Sequence, residues 1–335
     1  VTVNAGGIWG HHIAQMAGAN ISMFPAKGAL LIFAHRVNSV VINRCRKPAN
    51  ADILVPGDTV CVIGTTSTRV PYEECDHLKV TPDEVDLLLT EGAKLAPCLA
   101  ETRVLRAYAG VRPLVSADND PSGRNISRGI VCLDHESRDG IKGFISITGG
   151  KLMTYRLMGE MAADAVCKKL GRDAKCVTAD TPLPGSEPGG IEEISKKIWE
   201  VPTMVQKASV GRFGTQAAKL DFDGDVKGSL VCECEEVSVS EVDSAIENLE
   251  VNNLVDLRRR TRFGMGTCQG ELCACRAAGR LAKARKCTSK ARADLKDFMN
   301  ERWKGMYPVA WGETLRESAY TQWVYSEVMG LGEEI

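Results

Sequence analysis

The chain has 335 residues, with 42 Lys+Arg against 43 Asp+Glu, 44% hydrophobic and 25% charged residues. At about 150 residues per domain this predicts two domains or so around a large buried core, and it excludes a single small module, a disordered chain, a collagen-like repeat and a free-standing coiled coil. A formal net charge of -1 leaves no global field for nucleic acid or acidic lipid, and no apolar run approaches the roughly 18 residues of a spanning helix.

Residues 1–5 are a short β-prone run ending in Gly6-Gly7, and residues 8–17 follow with helical spacing, which reads as strand, tight turn and helix. β-rich runs at 29–34, 39–43 and 60–64, separated by turns at Pro48, Pro56 and Gly57, predict a sheet of consecutive strands. Thr81-Pro82-Asp83-Glu84 is a helix start, with Thr81 as N-cap and Val85, Leu88, Leu89 and Leu95 on one face until Pro97. Strand patterns return at 103–109, 129–133 and 143–148, and a helix is expected over 151–170, with Lys168 and Lys169 in its last turn and Gly171 behind it. Residues 181–190, TPLPGSEPGG, hold three prolines and three glycines and read as a linker. Beyond it, 191–227 is a weakly helical connector, 228–286 a compact unit, and 287–335 a tail with helical runs at 293–303 and 313–328.

Thirteen cysteines dispersed over a long chain argue against a disulfide framework and fit a reducing, cytoplasmic compartment. The chain starts at Val1, without Met and within a strand, and is read as a piece of a longer protein. Five of the cysteines, Cys232, Cys234, Cys268, Cys273 and Cys275, fall within 44 positions. Two close pairs, Cys232 with Cys234 and Cys268 with Cys273, supply four soft thiolates suited to an iron–sulfur cluster or zinc, with cysteines packed as small hydrophobes as the third option. Between the pairs, Ser240 is expected to cap a helix bearing Val242, Ile246 and Leu249, and Leu254 and Leu257 continue an apolar face.

The C-x-C pair, the helical spacer, Arg259-Arg260-Thr261-Arg262-Phe263-Gly264 and the second pair resemble the 2Fe-2S domain of the bacterioferritin-associated-ferredoxin type. The resemblance implies Cys232, Cys234, Cys268 and Cys273 as cluster ligands, with Cys275 as an adjacent spare. Gly264, Gly266 and Gly270 would let backbone N–H groups approach the sulfurs. Residues 233–250 hold seven acids and no base, whereas 251–292 hold eleven bases against two acids, which reads either as opposed docking patches or as a solvated face.

Gly149-Gly150-Lys151-Leu152-Met153-Thr154 joins a strand to a helix, where glycines admit a ligand against the backbone and helix N–H groups favour negative charge. Lys151 in a first helical turn opposes the helix dipole and calls for an anionic neighbour such as a reduced flavin, a solvated lysine being the alternative. Arg112, where a strand opens before Pro113, can form paired hydrogen bonds to phosphate or carboxylate. Taken in order, Val3-Asn4-Ala5-Gly6-Gly7-Ile8-Trp9, Lys27-Gly28, Ile63-Gly64-Thr65-Thr66, Ala109 to Pro113 and Gly149 to Arg156 resemble the FAD-dependent glycerol-3-phosphate dehydrogenases. With the cysteine domain appended, the chain is similar to the anaerobic, multi-subunit members of that family.

That resemblance implies an α/β (α+β) fold: residues 1–180 as the C-terminal part of an FAD-binding domain of the glutathione-reductase/D-amino-acid-oxidase type, with a β-rich substrate subdomain at 23–115, followed by the small helical 2Fe-2S domain. It implies oxidation of sn-glycerol 3-phosphate to dihydroxyacetone phosphate, with hydride passing to flavin N5 and electrons onward to a quinone. Arg112, with Arg128 as second cation, would clamp the substrate phosphate, and Thr65 and Lys151 would line the site. Gly6, Gly7, Gly149, Gly150, Lys151, Leu152 and Thr154 would contact FAD. The partners would be two further subunits of the anaerobic dehydrogenase complex, one carrying flavin, the other an iron–sulfur protein that anchors to the membrane. They would place the protein peripherally on the cytoplasmic face of the inner membrane.

Leu30 stands where single-subunit relatives carry a histidine, so no general base is assigned, and His35 reads as a polar loop residue. The N-terminal G-x-G-x-x-G is absent, so the piece is not expected to hold FAD well alone. The alternatives are an amine or amino-acid oxidoreductase of the same superfamily, with Arg112 on a carboxylate, and a non-enzymatic iron–sulfur electron-transfer or sensing module. His11 and His12, pointing about 100° apart on a helix, receive no metal role. Trp311, Leu315, Ala319 and Trp323, with Tyr320, are expected to pack on the cysteine domain rather than to face a membrane or partner.

Overall fold

The computed structural model describes residues 1–115, 129–224 and 226–332. Strand β1 (Thr2–Asn4) passes through a 3-10 turn, Gly7–Trp9, into α1 (Gly10–Met16). Six elements of a sheet and its cover follow: β2 (Met23–Phe33), β3 (Ile42–Asn43), β4 (Ile53–Pro56), β5 (Cys61–Gly64), β6 (Thr68–Arg69) and helix α2 (Pro82–Leu95). Thr81 caps α2 in a reciprocal box with Glu84, as the Thr-Pro-Asp-Glu run predicts. Then come β7 (Val104–Val115), β8 (Ile130–Asp134), the short α3 (His135–Asp139), β9 (Phe144–Gly149) and α4 (Tyr155–Lys169). β4, β6 and α3 escape the sequence reading because each is short and carries no clear alternation or cap-to-cap helical run.

The first half is built on two sheets. In the smaller, β1 runs parallel to β9, which pairs antiparallel with β8. In the larger, antiparallel sheet, β2 is central, flanked by β5 on one side and by all of β7 on the other. One face, carrying Ala29, Leu31, Phe33, Leu54, Ile63 and Ala107, buries itself under Val85 and Leu88 of α2. On the other face Ala26, Gly28, Leu30 and Ile32 stand beside Arg112, Gly110, Tyr108 and Arg106 in register. Period-two alternation therefore puts both arginines of β7 on one face, three residue pairs apart.

Residues 181–190 have no regular structure and are largely exposed. The connector, with α5 (Ile191–Ile198) and α6 (Met204–Phe213), has its own small core of Ile194, Val210, Ala217 and Leu220. The cysteine domain follows with a hairpin, β10 (Leu230–Cys232) and β11 (Val237–Ser238), and helices α7 (Val239–Asn248), α8 (Leu254–Thr261) and α9 (Ala274–Ala284). The cap of α7 is Ser238, boxed with Glu241; Ser240 lies within the first turn and donates to the Asp221 carbonyl, which corrects the expected cap.

The segment read as a separate tail forms α10 (Ala291–Met306) and α11 (Gly312–Trp323), and it does not stand apart. Leu295, Phe298, Met299 and Tyr325 share one core with Val242, Leu257, Phe263 and Leu281 of the cysteine domain. Val309 is fully buried in the core of the large sheet. The aromatic stripe is also corrected. Thr314, Ser318 and Thr321 face inward on α11, while Trp311, Leu315, Tyr320 and Trp323 are exposed. The inward hydroxyls are satisfied locally: Ser318 and Thr321 donate to carbonyls one turn back, and Thr314 donates to the Val104 carbonyl.

Candidate functional site

Arg112 lies flat on Gly28: a Cβ built at Gly28 would come within 2.4 Å of its Nη2. The guanidinium donates to Thr65 Oγ1 at 2.5 Å, to the Thr66 carbonyl at 3.2 Å and, at longer range, to the Lys27 and Ala26 carbonyls. Beneath it, the Lys27 ammonium donates to Glu84 Oε2 and to the Lys79 carbonyl, both at 2.8 Å. Thr66 Oγ1 donates to the other Glu84 oxygen at 3.1 Å and accepts from the Ala29 N–H. The Lys27–Glu84 pair, with side chains only 10% and 11% exposed, thus pins α2 to the turn that carries Thr65. Sequence reasoning found Lys27-Gly28 and Thr65-Thr66 as motifs but not Glu84, whose visible role was the helix box.

β1 and β9 are parallel neighbours in register, Asn4 beside Ser146, so Gly6-Gly7 and Gly149-Gly150 leave the same edge of the small sheet. Carboxyl ends of adjacent parallel strands are where ligands settle in such sheets. Asn4 is buried; it accepts from the Gly6 N–H and donates to the Gly10 carbonyl and to Ser146 Oγ, which fixes the first turn. Ser146 in turn meets His135 Nε2 at 2.8 Å, while Nδ1 of that fully buried ring meets Asp139 at 2.5 Å. Gly149 has φ of +74° and no room for a Cβ, which would meet the Gly129 carbonyl at 2.4 Å.

After it, Lys151, Leu152 and Met153 are exposed, and Thr154 closes the turn by accepting from the Lys151 N–H. Lys151 makes no ion pair among the described residues. The 3-10 turn carrying Gly7 packs against β7, the strand of Arg112. Two glycine turns at one sheet edge, an exposed apolar step and a fixed guanidinium on the strand packed against the first turn fit a flavin and an anionic substrate. Arg128 lies outside the described residues. Leu30 packs over Gly64, and His35 is exposed. His11 bonds the Ile21 carbonyl and stacks on Tyr72, so the histidine pair takes a packing role.

Four sulfurs converge in the cysteine domain. Cys234 and Cys268 Sγ are 3.7 Å apart, and Cys273 bonds both Cys232 and Cys268. Cys232 is pulled down to about 7, chiefly because Cys273 donates to it, with the Gly264 and Glu235 N–H groups adding. Cys268 also falls, because Cys234 and Cys273 donate to it and the Leu272 and Gly270 N–H groups point at it. The two donors are correspondingly raised. Four neighbouring sulfurs, two of them faced by backbone N–H groups that favour the thiolate, form a soft tetrad that fits a 2Fe-2S cluster. Cys275 is exposed. Gly266 admits Cys234, since a Cβ there would lie 2.4 Å from that of Cys234.

The acidic and basic stretches of this domain largely pair with each other: Arg276 with Glu233, Arg280 with Asp243 and Arg262 with Glu235. Arg212 of α6 grips Glu241 through two bonds and the Glu235 and Glu236 carbonyls, bracing the Cys234 loop. Arg262 also meets Asp58, and Thr59 donates to Glu235, so the β4–β5 turn of the large sheet touches the sulfur loop.

Residues 1–156 match the family model FAD dependent oxidoreductase, and residues 230–281 match the BFD-like 2Fe-2S binding domain. The chain is 59% identical, over 99% of its length, to the anaerobic glycerol-3-phosphate dehydrogenase A-subunit of Haemophilus influenzae, and 60% identical, over its whole length, to the Escherichia coli K12 protein of the same name. It spans 59% and 62% of those two proteins. The structure superposes on FAD-complexed glycerol-3-phosphate dehydrogenase of Bacillus halodurans with a TM-score of 0.69 at 20% identity, covering 93% of this chain and 63% of that one. The expected fold, an FAD-binding oxidoreductase segment with a helical 2Fe-2S domain behind it, is thereby borne out.

Proposed function

We propose that this chain, an FAD dependent oxidoreductase segment joined to a BFD-like 2Fe-2S binding domain, serves the oxidation of sn-glycerol 3-phosphate to dihydroxyacetone phosphate. Its electrons pass towards a quinone. The observation that carries the reading is Arg112, laid flat on Gly28 and oriented by Thr65 and three carbonyls. A planar fork fixed in this way suits a phosphate monoester, whose oxygens accept its paired N–H groups. The names of the relatives support the substrate.

Thr65 orients the clamp, Lys151 offers a second positive charge at the glycine turn, and Arg128 is the proposed further cation. The backbone of Gly6, Gly7, Gly149, Gly150, Leu152 and Thr154 would hold FAD. Cys232, Cys234, Cys268 and Cys273 would hold the cluster. Bound FAD supplies a hydride acceptor, and a 2Fe-2S cluster supplies single-electron transfer. Among the described residues no helix is long and apolar enough to cross a membrane. We assign membrane attachment to partner subunits, one carrying flavin, the other an iron–sulfur anchor.

Dye-linked assays of the full-length, FAD-loaded protein with glycerol 3-phosphate, glycerol and a panel of amino acids test the reading. Turnover with glycerol 3-phosphate and little with glycerol is expected. Turnover confined to amino acids overturns it.

A further inference from the structure

Two guanidiniums beside the core of the cysteine domain keep buried N–H groups without hydrogen-bond partners among the described residues. Arg258 sits on α8 four after Leu254 and three before Thr261, both buried, and is itself partly buried at the edge of their stripe. It makes one side-chain hydrogen bond, from Nη2 to Gln269 Oε1 at 3.1 Å, and no ion pair among the described residues. Its Nε is buried without a partner. Gln269, itself 1% exposed, donates to the Met265 and Gly266 carbonyls of the sulfur loop, so Arg258 is tied to that loop through one amide.

Arg302 on α10 is 4% exposed, and both its Nε and Nη2 lack hydrogen-bond partners. Its carboxylates, Glu271 of the sulfur loop and Glu317, stand off at 3.6 and 3.8 Å. Arg302 thus has counter-charges but not their hydrogen bonds, and a buried donor left unmet is costly because burial removes water without supplying a replacement. Across a cavity of about 570 Å³, Arg258 also faces Arg106 of the sheet, a like charge. Burial and that neighbour bring Arg258 down to about 9, with the Cys273 sulfur and Glu301 acting in the opposite sense.

We propose that Arg258, seconded by Arg302, sets the reduction potential of the 2Fe-2S centre by supplying the buried counter-charge of its reduced form. The inference rests on the reading of residues 228–286 as a cluster domain. A one-electron reduction, with the electron drawn from flavin reduced by substrate, adds one unit of negative charge to the four-thiolate site. It breaks no bond and moves no proton. Arg258 and Arg302 meet that added charge from partly buried and buried positions, where water screens it less than at the surface. Arg259, one residue on, is 66% exposed and paired with Asp256, so it is the natural control.

Redox titration of the full-length, cluster-loaded protein, followed by electron paramagnetic resonance, tests this. Arg258→Gln is expected to lower the equilibrium constant for reduction about tenfold, 59 mV for one electron, while Arg258→Lys keeps most of the potential and Arg259→Gln moves it less than about twofold. Iron and acid-labile sulfide are measured first. Their absence from the wild-type protein overturns the cluster reading, whereas a full cluster with an unshifted midpoint in Arg258→Gln overturns the role of Arg258 alone. If Arg258→Gln fails to retain the cluster, Arg302→Gln carries the test: a lowered midpoint supports the inference, and an unchanged one overturns it.

Discussion

Arg112 lies at one end of a face of the large sheet, Arg258 lies on a helix across a cavity from Arg106 at the other end, and the two are bound in opposite ways. Arg112 donates to three carbonyls and a hydroxyl, groups that orient a cation without cancelling its charge. Arg258 has one amide partner and a buried nitrogen with none. The contrast separates two ways of preparing for an anion. A site for a ligand that comes and goes can keep its donors aligned by fixed backbone groups, so that they are in place when it arrives. A site for a resident group can leave a donor unmet, because the group is always there to answer it.

The severest test of this contrast removes the resident group. Cys273→Ser is expected to abolish the 2Fe-2S spectrum and iron content, while flavin in the full-length protein is still reduced by glycerol 3-phosphate in stopped-flow traces. Loss of both signals would mean that the two ends are not independent. Next, Arg112→Ala should lower kcat/KM for glycerol 3-phosphate about 100-fold, ~2.7 kcal/mol in transition-state stabilisation. The cluster's resonance should stay unchanged, and Arg112→Lys should recover little, since an ammonium cannot reproduce the fork.

Glu84→Gln probes the neutral scaffold under Arg112. It leaves the Lys27 ammonium buried without its carboxylate, and about 3 kcal/mol of unfolding free energy should be lost in urea titrations. KM should rise more than kcat falls, because the turn under Arg112 loosens. A weaker response is expected at the rim, where Glu91 is lowered from 4.5 to about 2 by Lys94, then Arg44. A depressed carboxylate contributes stability above its unfolded value and loses it as pH falls through the folded one. Glu91→Gln should therefore be slightly less stable than the wild type at pH 7 and converge with it near pH 2, flattening the loss of stability between about pH 4.5 and 2, as urea titrations across that range will show.

Much of both sites was legible in the sequence, for different reasons. The sulfur pairs and the glycines beside them lie within one short stretch, and a local signal suffices for a locally built site. Arg112, Gly28 and Thr65 are legible as separate motifs, but their contact depends on antiparallel register, which no single segment carries. Arg258 was hidden by its neighbours. In a run of three arginines charge suggests solvent, and only its spacing from Leu254 and Thr261 marks it as partly inward. The aromatic stripe of α11 misled for the converse reason: periodicity tells which residues share a face, not which face is covered. The long-range pair Lys27–Glu84 had no local trace beyond the helix box.

The C-terminal helices also constrain how the protein is made. Val309 completes the core of a sheet whose central strand, β2, is synthesised far earlier, and Glu317 and Thr314 hold Arg103 and Val104 at the end of β7. At ~5–20 residues per second on the ribosome, that sheet waits tens of seconds for its last core residue. In that interval the cysteine domain between them must collapse and bring α10 back across. The large sheet therefore closes only after the chain beyond the cysteine domain has been made, and the last-made helices are the ones that lock its core.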